Sequence, residues 1–178
     1  QLAHPGKGDT GVEKPSGPYA VLTLHRPSNV DGEEKFREIM EAIVKIAAEL
    51  PVYFPVHPRT RQQIEATGLE GRLNNARVHL LPALPYKPFL KLLKDAALVL
   101  TDSGGLQEET TALGIPCFTL RENTERPITI EEGTNSLVGT RGEGILSAFE
   151  EFRGGKSKKG RIPELWDGKA AERIVHIL

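Results

Sequence analysis

The sequence predicts an α/β domain in which six parallel strands are covered by helices on both faces. Three observations predict it: short β-rich runs recur along the chain, amphipathic stripes separate them, and prolines or glycines punctuate the joins. YAVLTL (19–24) is the first strand and ends at His25. Between 33 and 50, Phe36, Ile39, Met40, Ile43, Ile46, Ala47 and Leu50 recur at three- and four-residue spacing, one apolar helix stripe that Pro51 ends. VYFPV (52–56) is the second strand, with Pro55 expected to mark an irregular or edge position because it has no amide to give a ladder. A short helix over 61–67 stops at Gly68, and RVHLL (77–81) is the third strand. The Pro-rich loop 82–88 leads to a helix over 89–95, then to the strand ALVLT (97–101) and a helix over 106–113 closed by Gly114. IPCFTL (115–120) and NSLVG (135–139) are the fifth and sixth strands, a helix covers 144–152, and a last helix covers 170–178. The whole reads as a Rossmann-like three-layer sandwich without internal repeats.

A chain of 178 residues, 38% hydrophobic, can bury one sizeable core but not two ordinary ones. Residues 1–18 carry Pro5, Gly6, Gly8, Gly11, Pro15, Gly17 and Pro18, which resist helix and sheet; they read as a linker or disordered segment ahead of a domain over 19–178. A linker implies an upstream domain; a disordered tag or tail is the other reading. The 23 basic and 24 acidic side chains leave a formal charge of -1, no field to recruit nucleic acid or an anionic membrane, so a small-molecule partner is expected. Cys117 is the only cysteine, so no internal disulfide can form, and no apolar run approaches the ~20 residues that span a bilayer. No signal-peptide pattern opens the chain, and a cytoplasmic, reduced setting is expected.

If the strands take the order 3-2-1-4-5-6, connections reverse direction between strands 1 and 4, and a crevice opens beyond their carboxyl ends. The turns LHRPSN and TDSGGLQEE flank that point. Gly104 and Gly105 remove side chains where strand becomes helix, so main-chain amides can approach an anion; Ser103 adds a hydroxyl. No Lys-Ser/Thr pair follows the glycines and no GxGxxG is present, so neither a P-loop nor a dinucleotide fingerprint applies. The anion expected is a diphosphate without a tightly held metal. Glu109 lies one turn beyond Gly105, and since a carboxylate would repel phosphate, its sensible partner is a ribose diol. A capped turn with solvent-facing acids is the competing reading. Arg121 and Arg126 follow strand 5 on the same sheet edge and offer paired donors to phosphate, although Arg126 could instead pair with Glu122 or Glu125. His25 can donate to a departing phosphate oxygen and titrates near neutral pH. His57, also at a strand end, is structural or ligand-contacting. His4, His79 and His176 have no supporting context, and no Cys/His/acid cluster suggests zinc, so neither metal nor cofactor is expected. The run GGKSKKGR is a solvated loop or, alternatively, a phosphate contact.

The segments LTLHRPSN, FPVHP, LPALPYKPF, LTDSGGLQEE, RENTERP and EGTNSLVG, in this order from about Tyr19 onward, resemble the C-terminal domain of non-hydrolysing UDP-N-acetylglucosamine 2-epimerases. The resemblance implies one half of a GT-B-like two-domain enzyme, with the active site between the halves and the N-terminal catalytic domain absent from this chain. It implies UDP and a UDP-N-acetylhexosamine as ligands, and a homodimer for the full-length enzyme. His25 would face the diphosphate and reacting sugar, Phe89 would pack near the uracil, and Ser103, Gly104, Gly105 and Arg126 would hold the phosphates. Glu109 would hold the ribose, and Arg26 and His57 match contacts to a second, regulatory UDP-GlcNAc. The chain departs from the family at PSN after HR, at Leu84 and at Ile128, where Glu, Gln and Glu are frequent. The implied reaction inverts C2 of the sugar by loss and re-addition of UDP, with the carboxylates for the C2 proton in the other half; this chain alone would bind UDP weakly and turn nothing over. A glycosyltransferase donor domain and a non-catalytic nucleotide-sugar-binding module are the alternatives.

Overall fold

The structure is a computed structural model that describes residues 16–156 and 158–177; the expected linker falls almost wholly outside them. Strands β1 (Ala20–Thr23), β2 (Val52–Pro55), β3 (Val78–Leu81), β4 (Leu98–Thr101), β5 (Cys117–Thr119) and β6 (Asn135–Leu137) form one sheet in the order β3-β2-β1-β4-β5-β6. Every pairing is parallel. Thr23 pairs with Thr101, so β1 and β4 end level at the point where the winding reverses.

Alternation along β1 sends Ala20 and Leu22 to one face and Tyr19 and Val21 to the other. The first face packs on α2 (Glu33–Ala47) through Phe36, Ile39 and Ile43, and on α8 (Gly142–Arg153) through Ile145 and Phe149. The second face packs on α5 (Tyr86–Lys94) through Leu92 and Leu93, and on α6 (Gly104–Leu113) through Leu106. No described helix is long and apolar enough to cross a membrane.

Several boundaries differ from those the sequence predicts. Strand β2 lies inside the sheet rather than at an edge; Pro55 is tolerated because Val56 donates on the β3 side, which leaves position 55 facing β1, and the β1 pairing ends at Tyr53. Helix α3 (Pro58–Ala66) starts three residues early because Pro58 suits a first helical position and His57 caps it, Nδ1 accepting the Arg59 amide at 3.2 Å. Helix α5 likewise starts at Tyr86, directly after Pro85, and α2 stops at Ala47 instead of reaching Leu50. Three short helices were not expected: α1 (Pro27–Val30), α4 (Glu70–Asn75) and α7 (Pro127–Glu131). The final helix, α9 (Ala170–Ile177), has no buried residue.

Candidate functional site

The carboxyl ends of β1 and β4 are tied together by polar side chains. Thr23 and Thr101 share a hydroxyl hydrogen bond of 2.7 Å, and the Ser103 amide donates to Thr101 Oγ1 at 3.0 Å. Asp102 is fully buried. Its carboxylate accepts the amides of His25 (3.1 Å) and Arg26 (2.8 Å) and the side-chain amide of Asn29 (3.3 Å), and His25 Nδ1 lies 3.0 Å from Oδ1. Asn29 also donates to the Leu120 carbonyl at 2.9 Å, and the Arg26 guanidinium to the Asp102 carbonyl at 3.0 Å. The hydrogen bond to Asp102 raises the His25 pKa above its ordinary value; partial burial and Arg26 oppose that rise without cancelling it.

Helix α6 opens with Gly104 and Gly105. Its N-cap, Ser103, is extended and spends no side-chain hydrogen bond on the helix. Neither glycine has positive φ. A Cβ on Gly105 would meet nothing within 4 Å, and one on Gly104 would make an ordinary 3.5 Å contact with Glu125 Oε2. Backbone conformation and packing therefore leave both positions open to side chains, yet glycine fills them where first-turn amides lack intrahelical acceptors. One turn on, Glu109 Oε2 is buried and has no hydrogen-bond partner among the described residues, and burial raises the Glu109 pKa above the usual carboxylate value.

The loop after β5 brings both arginines to this edge. Arg121, nearly buried, grips Glu125 at 2.8 and 3.1 Å and Asn123 at 3.2 Å. That grip holds the Glu125 carboxyl down at about 2. Arg126 sends Nε to Glu108 at 3.0 Å and Nη1 to the Glu125 carbonyl at 3.2 Å. It thus pairs with neither the Glu122 nor the Glu125 carboxylate, contrary to one sequence-based expectation: Glu122 is occupied by the Thr140 amide and hydroxyl, at 3.2 and 2.8 Å, and Glu125 by Arg121. Buried Gln107 anchors the loop by accepting from Thr124 at 2.5 Å, and Thr124 in turn accepts the Arg126 amide at 3.0 Å.

A cavity of about 190 Å³ at the ends of β1, β2 and β3 is lined by His25, His57, Leu84 and Phe89, among others. The His25 and His57 rings lie 6.0 Å apart. The structure thus brings His25, His57 and Phe89 into one cavity. Ser103, Gly104, Gly105, Glu109 and Arg126 do not line it; they gather on the β4 and β5 side of the same sheet edge, and Arg26 reaches toward them, 3.5 Å from Glu125. His57 is at once a helix cap and a cavity wall. The alternative phosphate role for the lysine run fails at Lys158, which donates to the Asn135 carbonyl at 3.2 Å, at the amino end of β6 and so across the sheet from this edge. A larger cavity of about 360 Å³ beside Lys158 contains none of the expected site residues. No cluster of three potential metal ligands occurs among the described residues.

Sequence reasoning missed Asp102, Asn29 and Gln107, and named Glu125 only as a possible partner of Arg126. The two prolines that open α1 and α7 were the available signal for how LHRPSN and RENTERP turn back toward the helix start.

A family profile described as UDP-N-acetylglucosamine 2-epimerase matches residues 3–178. A UDP-N-acetylglucosamine 2-epimerase of Methanocaldococcus jannaschii is 42% identical over 163 residues, which cover 90% of this chain and 44% of that protein. A UDP-2,3-diacetamido-2,3-dideoxy-D-glucuronate 2-epimerase of Pseudomonas aeruginosa is 37% identical, with 90% and 44% covered. The chain thus spans less than half the length of these relatives. Among solved structures, the Methanocaldococcus jannaschii UDP-GlcNAc 2-epimerase in complex with UDP-GlcNAc and UDP superposes with TM-score 0.79 at 41% identity, covering 90% of this chain and 44% of that one. An E. coli heptosyltransferase with ADP, TM-score 0.55 at 21% identity, shares the fold.

Proposed function

Since this chain belongs to the UDP-N-acetylglucosamine 2-epimerase family, we propose that its residues 19–178 are the UDP-binding half of an enzyme that interconverts UDP-N-acetylglucosamine and UDP-N-acetylmannosamine. The observation that carries this reading is the pair Gly104–Gly105, which neither φ nor packing demands and which opens a helix beside Arg126. Two linked phosphoryl groups answer that arrangement: glycine admits the phosphate to the amides, and the guanidinium offsets its charge. Glu109 supports it, because a buried carboxylate oxygen without a donor is satisfied by a ribose hydroxyl. In the cavity that Phe89 shares with His25 and His57, Phe89 then offers a ring for the uracil, His25 faces the diphosphate from its rim, and Arg26 with His57 is the place for a second nucleotide sugar.

In the proposed reaction, the bond from C1 to the diphosphate oxygen breaks with both electrons leaving on that oxygen. C2 loses its proton to a base in the other half of the enzyme, and a C1=C2 double bond forms. Re-addition of UDP with protonation from the opposite face inverts C2. The C2 proton is poorly acidic before C1 acquires cationic character, which puts departure of the diphosphate first. Preorganised amides, Ser103, Arg126 and His25 stabilise that departure. The full-length enzyme works as a homodimer in this reading.

The test is the full-length protein with UDP-GlcNAc in deuterium oxide, followed by proton NMR. Appearance of UDP-ManNAc with deuterium at C2 and no acceptor sugar supports the proposal. Sugar transfer that needs an acceptor would make the protein a glycosyltransferase, and binding without turnover would make it a binding module; either refutes it. This chain alone is expected to bind UDP and form no product.

A further inference from the structure

We propose that Asp102 is the positioning residue for His25, fixing the proton of the imidazole on Nδ1 and turning Nε2 toward the departing diphosphate oxygen. The proposal rests on the reading of His25 given above and adds to it the group that makes that histidine competent.

The geometry is specific to such a role. Asp102 is fully buried, and its carboxylate is held by the amides of His25 and Arg26, by Asn29 Nδ2 and by His25 Nδ1 at 3.0 Å. An acceptor-only group at Nδ1 keeps a proton there whether the ring is neutral or charged, so Nε2 is the nitrogen that gains and loses one. His25 stays half-exposed at the cavity wall, where that nitrogen can meet a ligand. Among the described residues, the charged or titratable groups around the ring are Asp102 from the end of β4, Arg26 from its own turn, and His57 from the end of β2 with its ring 6.0 Å away. Asp102 outweighs Arg26, which is why the ring holds its proton more tightly than a free histidine. When the C1–O bond breaks, Nε2–H passes its proton to the oxygen that takes the electron pair, and the ring is left neutral with Nδ1–H still donated to Asp102. Re-addition runs the same transfer backward.

The first measurement uses this chain, labelled with nitrogen-15, and reads the His25 ring nitrogens by long-range NMR correlation across a pH titration. The expected result is an Nδ1–H neutral tautomer and a pKa above that of a free histidine. In Asp102→Asn, whose amide can still cap the β1 turn through its oxygen, the pKa falls and the tautomer shifts to Nε2–H. In the full-length enzyme the same variant loses kcat by a factor on the order of 10² or more, moves the alkaline limb of the kcat profile to lower pH, and leaves KM nearly unchanged. An Nε2–H tautomer or an ordinary pKa for His25 in the unsubstituted chain overturns the proposal without any variant having to fold. Full turnover by a His25→Asn enzyme would instead remove the functional reading beneath it, and the NMR result would tell the two failures apart.

Discussion

Glu125 places a carboxylate oxygen 3.5 Å from where a Cβ on Gly104 would stand, over the opening turn of α6. The same side chain grips Arg121 and comes within 3.5 Å of Arg26. A negative group therefore already occupies the neighbourhood in which amides and guanidinium groups favour an anion. Glu125→Gln is expected to tighten UDP binding, because one repulsive charge disappears, and the gain should shrink as salt is added. Calorimetric titration at low and high ionic strength measures this. An affinity that does not move would place Glu125 outside the ligand's field.

Two glycines at opposite edges of the sheet, Gly105 at the start of α6 and Gly133 just ahead of β6, should respond oppositely to alanine. Gly105→Ala is sterically free and replaces the poorer helix former, so thermal stability should hold or rise by up to about 1 kcal/mol, while UDP binding weakens sharply. Gly133→Ala would put its Cβ 2.6 Å from the Thr129 carbonyl oxygen and against Thr111 Oγ1, which should cost about 1–3 kcal/mol. Urea unfolding beside a UDP titration separates the two. A Gly105→Ala protein that binds UDP normally would show that the helix opening is not a phosphate site.

Glu109 carries a pH signature. Burial raises its pKa in the folded chain, so the folded state holds the proton more tightly than the unfolded one. The stability it contributes is present below the unfolded pKa and is lost as pH rises through the raised folded value. Glu109→Gln should therefore stabilise the ligand-free chain at neutral pH and have little effect in acid, while weakening UDP through loss of the ribose contact. Unfolding midpoints at the two pH values check the sign; a variant less stable at neutral pH would contradict it.

The sheet was legible because its determinants are local. The stripe from Phe36 to Ala47 made α2 unmistakable, and short strands between such helices left few topologies for a parallel sheet. One-turn helices such as α1 and α4 have too few residues to show a stripe. At the site, glycines, acids and arginines could be assigned to the correct sheet edge, but their pairings could not be read. Arg126 chose Glu108 over the nearer acids in sequence because Gln107 and Thr124 set the loop against α6. Asp102 meets donors 73 to 77 residues away, a relationship fixed by the register of Thr23 on Thr101 and invisible along the chain.

Titrating UDP and UMP into this chain by calorimetry asks whether the α6 opening and Arg126 together hold two linked phosphoryl groups. A second charge-assisted contact is worth about 1.5 kcal/mol or more, so UDP should bind at least about tenfold more tightly than UMP, and Arg126→Ala should erase most of that margin. Equal affinity for UDP and UMP would contradict it.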